Sequence, residues 1–591
     1  MRSKSFILFA ALIIASLVLS ACQPTAAPAP ETPQEPETIV HTVIVEGEVR
    51  EIVVTATPDP AAATPAGLPL LRINLGTYPD IIDPQKSSFV NEIAHLMMIY
   101  EGLTRLDENL ETVPGAAESW EYNDDATQLT FTLREGLKYS DGVLLNAARF
   151  HYSLMRNINP ETAGEYAGIT DDILGAAAWR GGEVETNEGV GVHAYDMAGN
   201  LCEGDYENAD CRKLVIDLER PAPYFHTVMS LWVVFPAREE LIGEGGDIWW
   251  TSSKFQIGNG PFVLSALEPF VRGHFIPNPN YWRGQPSYDM EFRYITDTAV
   301  QFEAYKNDEF DIAILGAEDL ATVEADPVLN AEKYLYAGSC TFAFNLHHLK
   351  EPFSDMKVRE AFIYALDRES WVKDVLKGMG SPTLTWIPPG FPGYDDTETR
   401  YAFDPEKAKQ AIAESSYGSI ENLPPITATF SDTPRNRTRW EWLAAKYKEI
   451  LGVDIALNPV ESTTFTALTK DVETAPQMYI LGWCADYPDP QNWLSVFWMT
   501  GAFGQRFGFG NAELDTMMRA ADATLDPEER MALYHDAQKF LIGLAPGAMF
   551  WNNVNSYLVK PWVTGIKYTP MDAGFPGIYE PLSIQVGQPN Q

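Results

Sequence analysis

The sequence predicts an α/β protein of several domain-sized units, and three observations carry that prediction. A chain of 591 residues exceeds what one hydrophobic core organises and divides into roughly three or four units. From Leu70 onward, short β-rich runs alternate with helical patterns and Pro/Gly turns. The composition, 45% hydrophobic and 12% aromatic, is that of a packed chain, which confines disorder to local stretches.

The first element is an address. Arg2 and Lys4 precede an apolar run from Phe6 to Leu19, and Leu19-Ser20-Ala21-Cys22 has the order of a lipoprotein cleavage site. The run falls short of the roughly 20 residues that a membrane-spanning helix needs. Residues 1–21 therefore read as a signal peptide, and Cys22 as the lipidated first residue of the mature chain. Residues 22–69 are rich in Pro, Ala, Thr and Glu, a composition that buries too little apolar surface to offset the entropy of ordering it. They read as a tether holding a folded body at the outer face of the cytoplasmic membrane, in the periplasm or cell envelope. Within the tether, Ile39 to Val54 is rich in Val and Ile and alternates imperfectly, which fits either an isolated extended segment or a short helix.

In the body, the runs LRINLG (from Leu71), QLTFTL (from Gln128), KLVIDL (from Lys213), MEFRYI (from Met290) and QMYILGW (from Gln477) read as strands. A helix is expected from a cap at Ser354 through Val358, Phe362, Ala365, Leu366, Val372 and Val375 towards Gly378. A second starts at Asp404 with Pro405 in its first turn and continues through Ala408, Ala411 and Ile412. Gly258 and Gly260 read as a turn entering a strand at Phe262.

Charge and motifs narrow the function. Lys and Arg total 42 against 82 Asp and Glu, a formal charge of −40, which repels phosphate backbones and removes nucleic acid from the candidate partners. No Gly-rich phosphate loop ending in Lys-Ser/Thr, zincin H-E-x-x-H or G-x-S-x-G elbow occurs, so binding is favoured over catalysis and no cofactor is expected. His347 and His348 are adjacent, and neighbouring residues on a strand face opposite ways, so they read as packing residues and no metal site is expected. With Cys22 assigned to lipid, four of the five cysteines remain, an even number that in an oxidising compartment implies two disulfides. Cys202 and Cys211 share a polar, turn-rich segment in which a short loop closes readily, which leaves Cys340 with Cys484.

Six stretches in order resemble the peptide-binding proteins of ABC importers, solute-binding family 5. They are Leu133–Gly142 (LREGLKYSDG), Ile257–Leu264 (IGNGPFVL), Asn278–Trp282 (NPNYW), Pro352–Glu369 (PFSDMKVREAFIYALDRE), Gly482–Pro490 (GWCADYPDP) and Leu558–Val563 (LVKPWV). The last two, with Cys340 in YAGSCTFAFNL, are most similar to the oligopeptide receptors, in which a disulfide joins the positions of Cys340 and Cys484. The resemblance implies a two-lobed periplasmic-binding-protein-like fold with two crossing strands as hinge and a third domain inserted in the first lobe. The first lobe then comprises residues 70–99, 229–338 and 554–591, the insertion residues 100–228, and the second lobe residues 339–553.

The resemblance also implies a monomeric receptor that binds a peptide between its lobes and delivers it to a membrane permease. Asp486 matches the aspartate that pairs with the ligand amino terminus, and Gly482 and Cys484 match main-chain contacts to the peptide. Val90 matches a further backbone contact, and Tyr166 falls in a segment similar to the tyrosine-bearing loop lining the cleft. Trp483 and Tyr487 either wall the cleft or pack in the core. Arg359 matches a structural arginine. The chain departs from the oligopeptide receptors at Ser462, where they carry tryptophan, and near Ile480, where basic residues that meet a ligand carboxylate are replaced. Two rival functions are the same fold carrying another solute, such as an oligosaccharide, and a secreted hydrolase using Asp486 and Asp489 as an acid/base pair.

Overall fold

The computed structural model describes residues 38–45, 48–55 and 67–588. The expected signal peptide and Cys22 lie outside the described residues. No helix among the described residues is long and apolar enough to cross a membrane. The described residues fall into two units, one up to Gly67 and one from Leu68 onward. In the first, the stretch that fitted either an extended segment or a helix is a β-hairpin. Thr38–Val45 and Glu48–Thr55 pair antiparallel, Thr38 opposite Thr55 and Val45 opposite Glu48. The physical reason is the density of β-branched residues, which favour extended backbone over helix.

The second unit is built on a sheet of 11 strands. Two long strands, Lys333–Leu346 and Gly547–Val559, run antiparallel through its middle. Near Val559 the second of them pairs with Ile312–Ile314 and so with one half-sheet, which continues through Leu70–Asn74 and Asp289–Arg293. Beyond Cys340 the first pairs with Met478–Cys484 and so with the other half-sheet, which continues through Ile426–Ser431 and Ile455–Val460. These are the expected crossing strands. Their register breaks between Ala337, opposite Val554, and Thr341, opposite Asn552. Each half-sheet carries its own core, so the body is two-lobed. In the second lobe the period of two is visible directly: Phe344, Met478 and Phe550 enter one buried cluster while Ala343, Tyr479 and Met549 enter another on the opposite face. A separate antiparallel sheet of four strands lies in the inserted segment, in the order Ala117–Tyr122, Gln128–Leu133, Cys211–Asp217, Val192–Asp196. Its Leu129, Phe131, Leu214 and Ile216 share a continuous core with Leu71, Ile73 and Phe292 of the first half-sheet.

Local chemistry explains most of the elements. Every run expected as a strand overlaps one, passing its end by at most two residues. Asp404 caps Pro405–Glu414 by accepting from the Glu406 and Lys407 amides, and Ala408, Ala411 and Ile412 are buried. The helix expected from Ser354 to Gly378 is two helices. Asp355 rather than Ser354 caps Met356–Tyr364, and Asp367 caps a second helix, Arg368–Asp374, through the Ser370 amide. Asp367 competes for backbone donors and restarts the helix within an apolar pattern that reads as continuous. The Gly258–Gly260 turn precedes strand Phe262–Glu268, and here glycine is a steric necessity: a Cβ on Gly258 would lie 2.1 Å from the Ile99 carbonyl oxygen. His347 and His348 sit just past the end of their strand. Their Nε2 atoms lie 2.9 Å from the carbonyls of Val472 and Pro546, so both pack against main chain. Arg359 donates to the Ala545 and Phe353 carbonyls, the structural role expected of it. Both disulfides form as expected, Cys202–Cys211 and Cys340–Cys484.

Candidate functional site

Strand Met478–Cys484 sits where the two lobes meet and carries Gly482, Trp483 and Cys484. Along one edge it pairs residue by residue with the first long strand, from Met478 opposite Leu346 to Cys484 opposite Cys340. Along the other edge the neighbouring strand reaches it only at Met478, opposite Ala428. From Ile480 to Cys484 no strand among the described residues occupies that second edge. Half the main-chain N–H and C=O groups of an antiparallel strand point to each side, so this segment presents backbone donors and acceptors suited to an extended guest chain. Cys484 is pinned twice at this point, by its disulfide and by its cross-strand pairing with Cys340, whose amide also donates to Asn553 Oδ1 at 2.7 Å.

Asp486 follows the end of the strand by two residues. Asn492, fully buried in the short helix Pro490–Trp493, orients it: its Nδ2 donates to Asp486 Oδ2 at 3.0 Å, while its Oδ1 accepts from the Asp486 amide at 3.1 Å and from Trp483 Nε1 at 3.2 Å. The Tyr166 hydroxyl lies close enough to the carboxyl to favour its charged form. No ion pair to any described residue reaches Asp486. Although the residue as a whole is only half-buried, its carboxyl lies deep enough for burial to push its pKa up to about 6, against the lowering effect of Asn492 and Tyr166. A rise of that size corresponds to roughly 3 kcal/mol against the charged form. The site thus holds a carboxylate that is oriented but lacks a cation.

Tyr166 comes from the inserted segment, so this contact joins that segment to the second lobe. Its placement depends on Gly164, where a Cβ would lie 2.0 Å from the Gln85 carbonyl oxygen, so only glycine lets the loop approach. The Tyr166 ring meets Trp232 edge-on, with centroids 5.1 Å apart, and Trp232 Nε1 donates to the Ser87 carbonyl at 2.8 Å. Ser87 leads into the helix Val90–Ile99, whose start is fixed by Glu92 accepting from the Ser88 and Phe89 amides. Val90 is therefore exposed at the head of a segment connected through Ser87, Trp232 and Tyr166 to Asp486. The structure shows no direct contact between Val90 and Asp486.

Trp483 is half-exposed and packs against Phe497 and Phe503, with centroids 5.4 and 4.8 Å away. Tyr487 is buried at 2% exposure within the core of the first lobe and insertion, and its hydroxyl donates to Gln491 Oε1. It packs rather than walling a cleft, which corrects its candidacy: the turn after Asp486 drives the ring inward. Asp489 is also spoken for. It caps the helix Pro490–Trp493 through the Gln491 amide and forms a two-pronged ion pair with Arg530, at 2.8 and 2.7 Å. A carboxylate tied in this way is not placed to act with Asp486 on one bond. Among the described residues no three His, Cys, Asp or Glu side chains cluster to hold a metal ion.

Asn492, which orients the carboxylate, is left unmarked by the sequence. Its signal is faint, a polar amide between Gln491 and Trp493 in a helix too short to show a period.

Residues 111–505 match the family model described as bacterial extracellular solute-binding proteins, family 5, middle. The chain is 29% identical over 521 residues to the dipeptide-binding protein DppE of Bacillus subtilis, covering 86% of this chain and 91% of that protein. It is 27% identical over 545 residues to an Escherichia coli protein named "Probable deoxycholate-binding periplasmic protein YgiS", covering 88% and 96%. Its fold is similar to that of the Escherichia coli murein tripeptide binding protein MppA, with a TM-score of 0.70 at 23% identity, covering 89% of this chain and 99% of that one. The family match spans well over half the chain and contains the strand and carboxylate just described: the chain belongs to the bacterial extracellular solute-binding proteins of family 5.

Proposed function

We propose that this protein is the extracytoplasmic receptor of an ABC importer, lipid-anchored through Cys22, that binds peptides between its lobes and passes them unchanged to a membrane permease. The lobes are residues 70–99, 229–338 and 554–591 on one side and 339–553 on the other, with 100–228 inserted in the first. The register break between Ala337 and Thr341 supports a hinge at those boundaries. The observation that carries the reading is Asp486, an oriented carboxylate with no ion-pair partner beside an open strand edge. A peptide offers what both lack: an α-ammonium for the carboxylate and a main chain for the edge. A ligand that contacts both lobes at once binds the closed form better and so shifts the population towards it.

Calorimetry with paired peptides tests this. Acetylating the amino terminus leaves Asp486 buried and unpaired in the closed form, so affinity should fall by about 30-fold or more, the equivalent of at least ~2 kcal/mol. Asp486→Asn should abolish most of that difference. Equal affinity for free and acetylated peptides removes Asp486 from the role. A second reading, the same fold carrying another solute, is favoured by the relative named for deoxycholate, an acid without an ammonium. Binding of such a solute or of short glycans, with none of any peptide, would select it.

A further inference from the structure

The hairpin of Thr38–Val45 and Glu48–Thr55 plays no part in the proposed function. Its sheet has two strands, and among the described residues no third strand pairs with either. Half of each strand's main-chain N–H and C=O groups point away from its partner, so both outer edges offer donors and acceptors to a further strand. A lone two-stranded hairpin is marginal in water and becomes stable when more strands join it. The two edges differ in a way that selects one of them. Native edges are kept from pairing by charge, proline or a bulge. Glu48–Thr55 carries Glu48, Arg50 and Glu51, whereas Thr38–Val45 (TIVHTVIV) has no Asp, Glu, Lys, Arg, Pro or Gly. Its ladder runs from Thr38 to Val45 without a register shift, so no bulge bends the edge away.

The sequence of that first strand suits a copy of itself. Ile39, Val40, Val43, Ile44 and Val45 combine high β propensity with an absence of charge, the composition that stacks on like strands. Opposed residues in an antiparallel pair both direct their main-chain groups at the partner, or both away. A strand that meets itself about a two-fold axis therefore pairs residues of equal parity. Centred on Thr42, this sets Val40 opposite Ile44, Ile39 opposite Val45 and His41 opposite Val43, with no charged residue in the seam. The product is a four-stranded sheet with the two uncharged strands inside and the two charge-bearing strands as its edges, so growth stops at two copies. The strand is also free of the repulsion that a formal charge of −40 imposes on two copies meeting elsewhere. Residues 56–67 reach up to about 40 Å when extended, room enough for each body to remain a separate receptor.

We propose that strand Thr38–Val45 is a docking edge for a second copy of this chain, through which two receptors pair by their tethers. The inference stands on the hairpin's backbone and sequence and is independent of what the cleft binds.

The test uses the chain from Gln23 onward, which lacks the Cys22 thiol, with a single new cysteine at Thr42 or at Val53, which lies opposite Val40 on the second strand. Under mild oxidation Thr42→Cys should give a covalent dimer on the order of tenfold faster than Val53→Cys. Position 42 meets its own copy on the axis at a Cα separation of about 4.5–5.5 Å, within disulfide reach. Position 53 lies three strand spacings from its copy, about 14 Å or more. Adding Val40→Lys and Ile44→Lys sets like charges opposite each other across the seam and should remove the advantage of Thr42→Cys, with the thermal melt of the body unchanged. Those lysines also bear on the hairpin itself, so sedimentation of the chain without substitutions supplies a second readout. It should show monomer and dimer and nothing larger, and deletion of residues 38–55 should leave monomer alone. Equal linking of the two cysteines, a dimer that survives the deletion, or species larger than a dimer overturns the proposal. A chain that stays monomeric with Thr42→Cys unlinked assigns the edge to another occupant and overturns it as well.

Discussion

Replacing Cys340 and Cys484 by serine should lower the unfolding free energy by about 5 kcal/mol, since the bond closes a loop with a sequence separation of 144 residues. The same closure entropy gives only about 2.5 kcal/mol for Cys202–Cys211, whose separation is nine. Cys340 lies in the register break of the crossing strands and Cys484 at the end of the strand edge that no described strand covers, so the bond ties the two together. Denaturant unfolding of the two double-serine variants measures the contrast. Equal losses would show that native strain or residual structure in the unfolded chain, rather than loop closure, sets the contribution.

Breaking the Arg530–Asp489 pair should cost about 3–5 kcal/mol, because removing one partner strands the other in a poorly solvated place. The side chains are 8% and 13% exposed, which sets this pair apart from the many surface pairs worth little. Burial alone would lower the Arg530 pKa, but the Asp489 carboxylate holds it above its ordinary value. Arg530 also donates to the Tyr534 hydroxyl at 2.9 Å and lies 5.2 Å from the centre of the Tyr224 ring in the inserted segment. Arg530→Met removes the charge and keeps an apolar stem. Adding Asp489→Asn, which retains a capping side chain, should recover much of the loss. Denaturant midpoints of the single and double variants check this, and a double variant no better than Arg530→Met would place the cost in lost packing.

Much of the fold was legible because it rests on local rules. The strands show as β-rich runs, and Asp404-Pro405 marks a helix start by its own chemistry. What escaped depends on competition or on distant partners. Asp367 interrupts an apolar helical pattern because its carboxylate takes an amide from the chain, and no periodicity reports that. Tyr487 follows Asp486 directly, yet the first is buried in a core and the second only half-buried. That choice is made by Asn492 and by the packing of the insertion. Asp486, Gly482 and Cys484 were singled out through the motif around them.

The account turns on Asp486 being charged when it receives a ligand. Burial pushes its pKa up to about 6, which gives the sign. Above that pH the carboxylate is already ionised, and below it the group must lose a proton before an ammonium can pair with it. Binding of a free-amino peptide should therefore be roughly tenfold weaker at pH 5 than at pH 7 and should release close to one proton at pH 5. Calorimetry in buffers of different ionisation enthalpy reads both quantities, and Asp486→Asn, which leaves Asp522, a carboxyl also raised to about 6, in place, should flatten them. Equal affinity at the two pH values with no proton released, in a protein that binds the peptide, would contradict the claim that Asp486 captures the amino terminus.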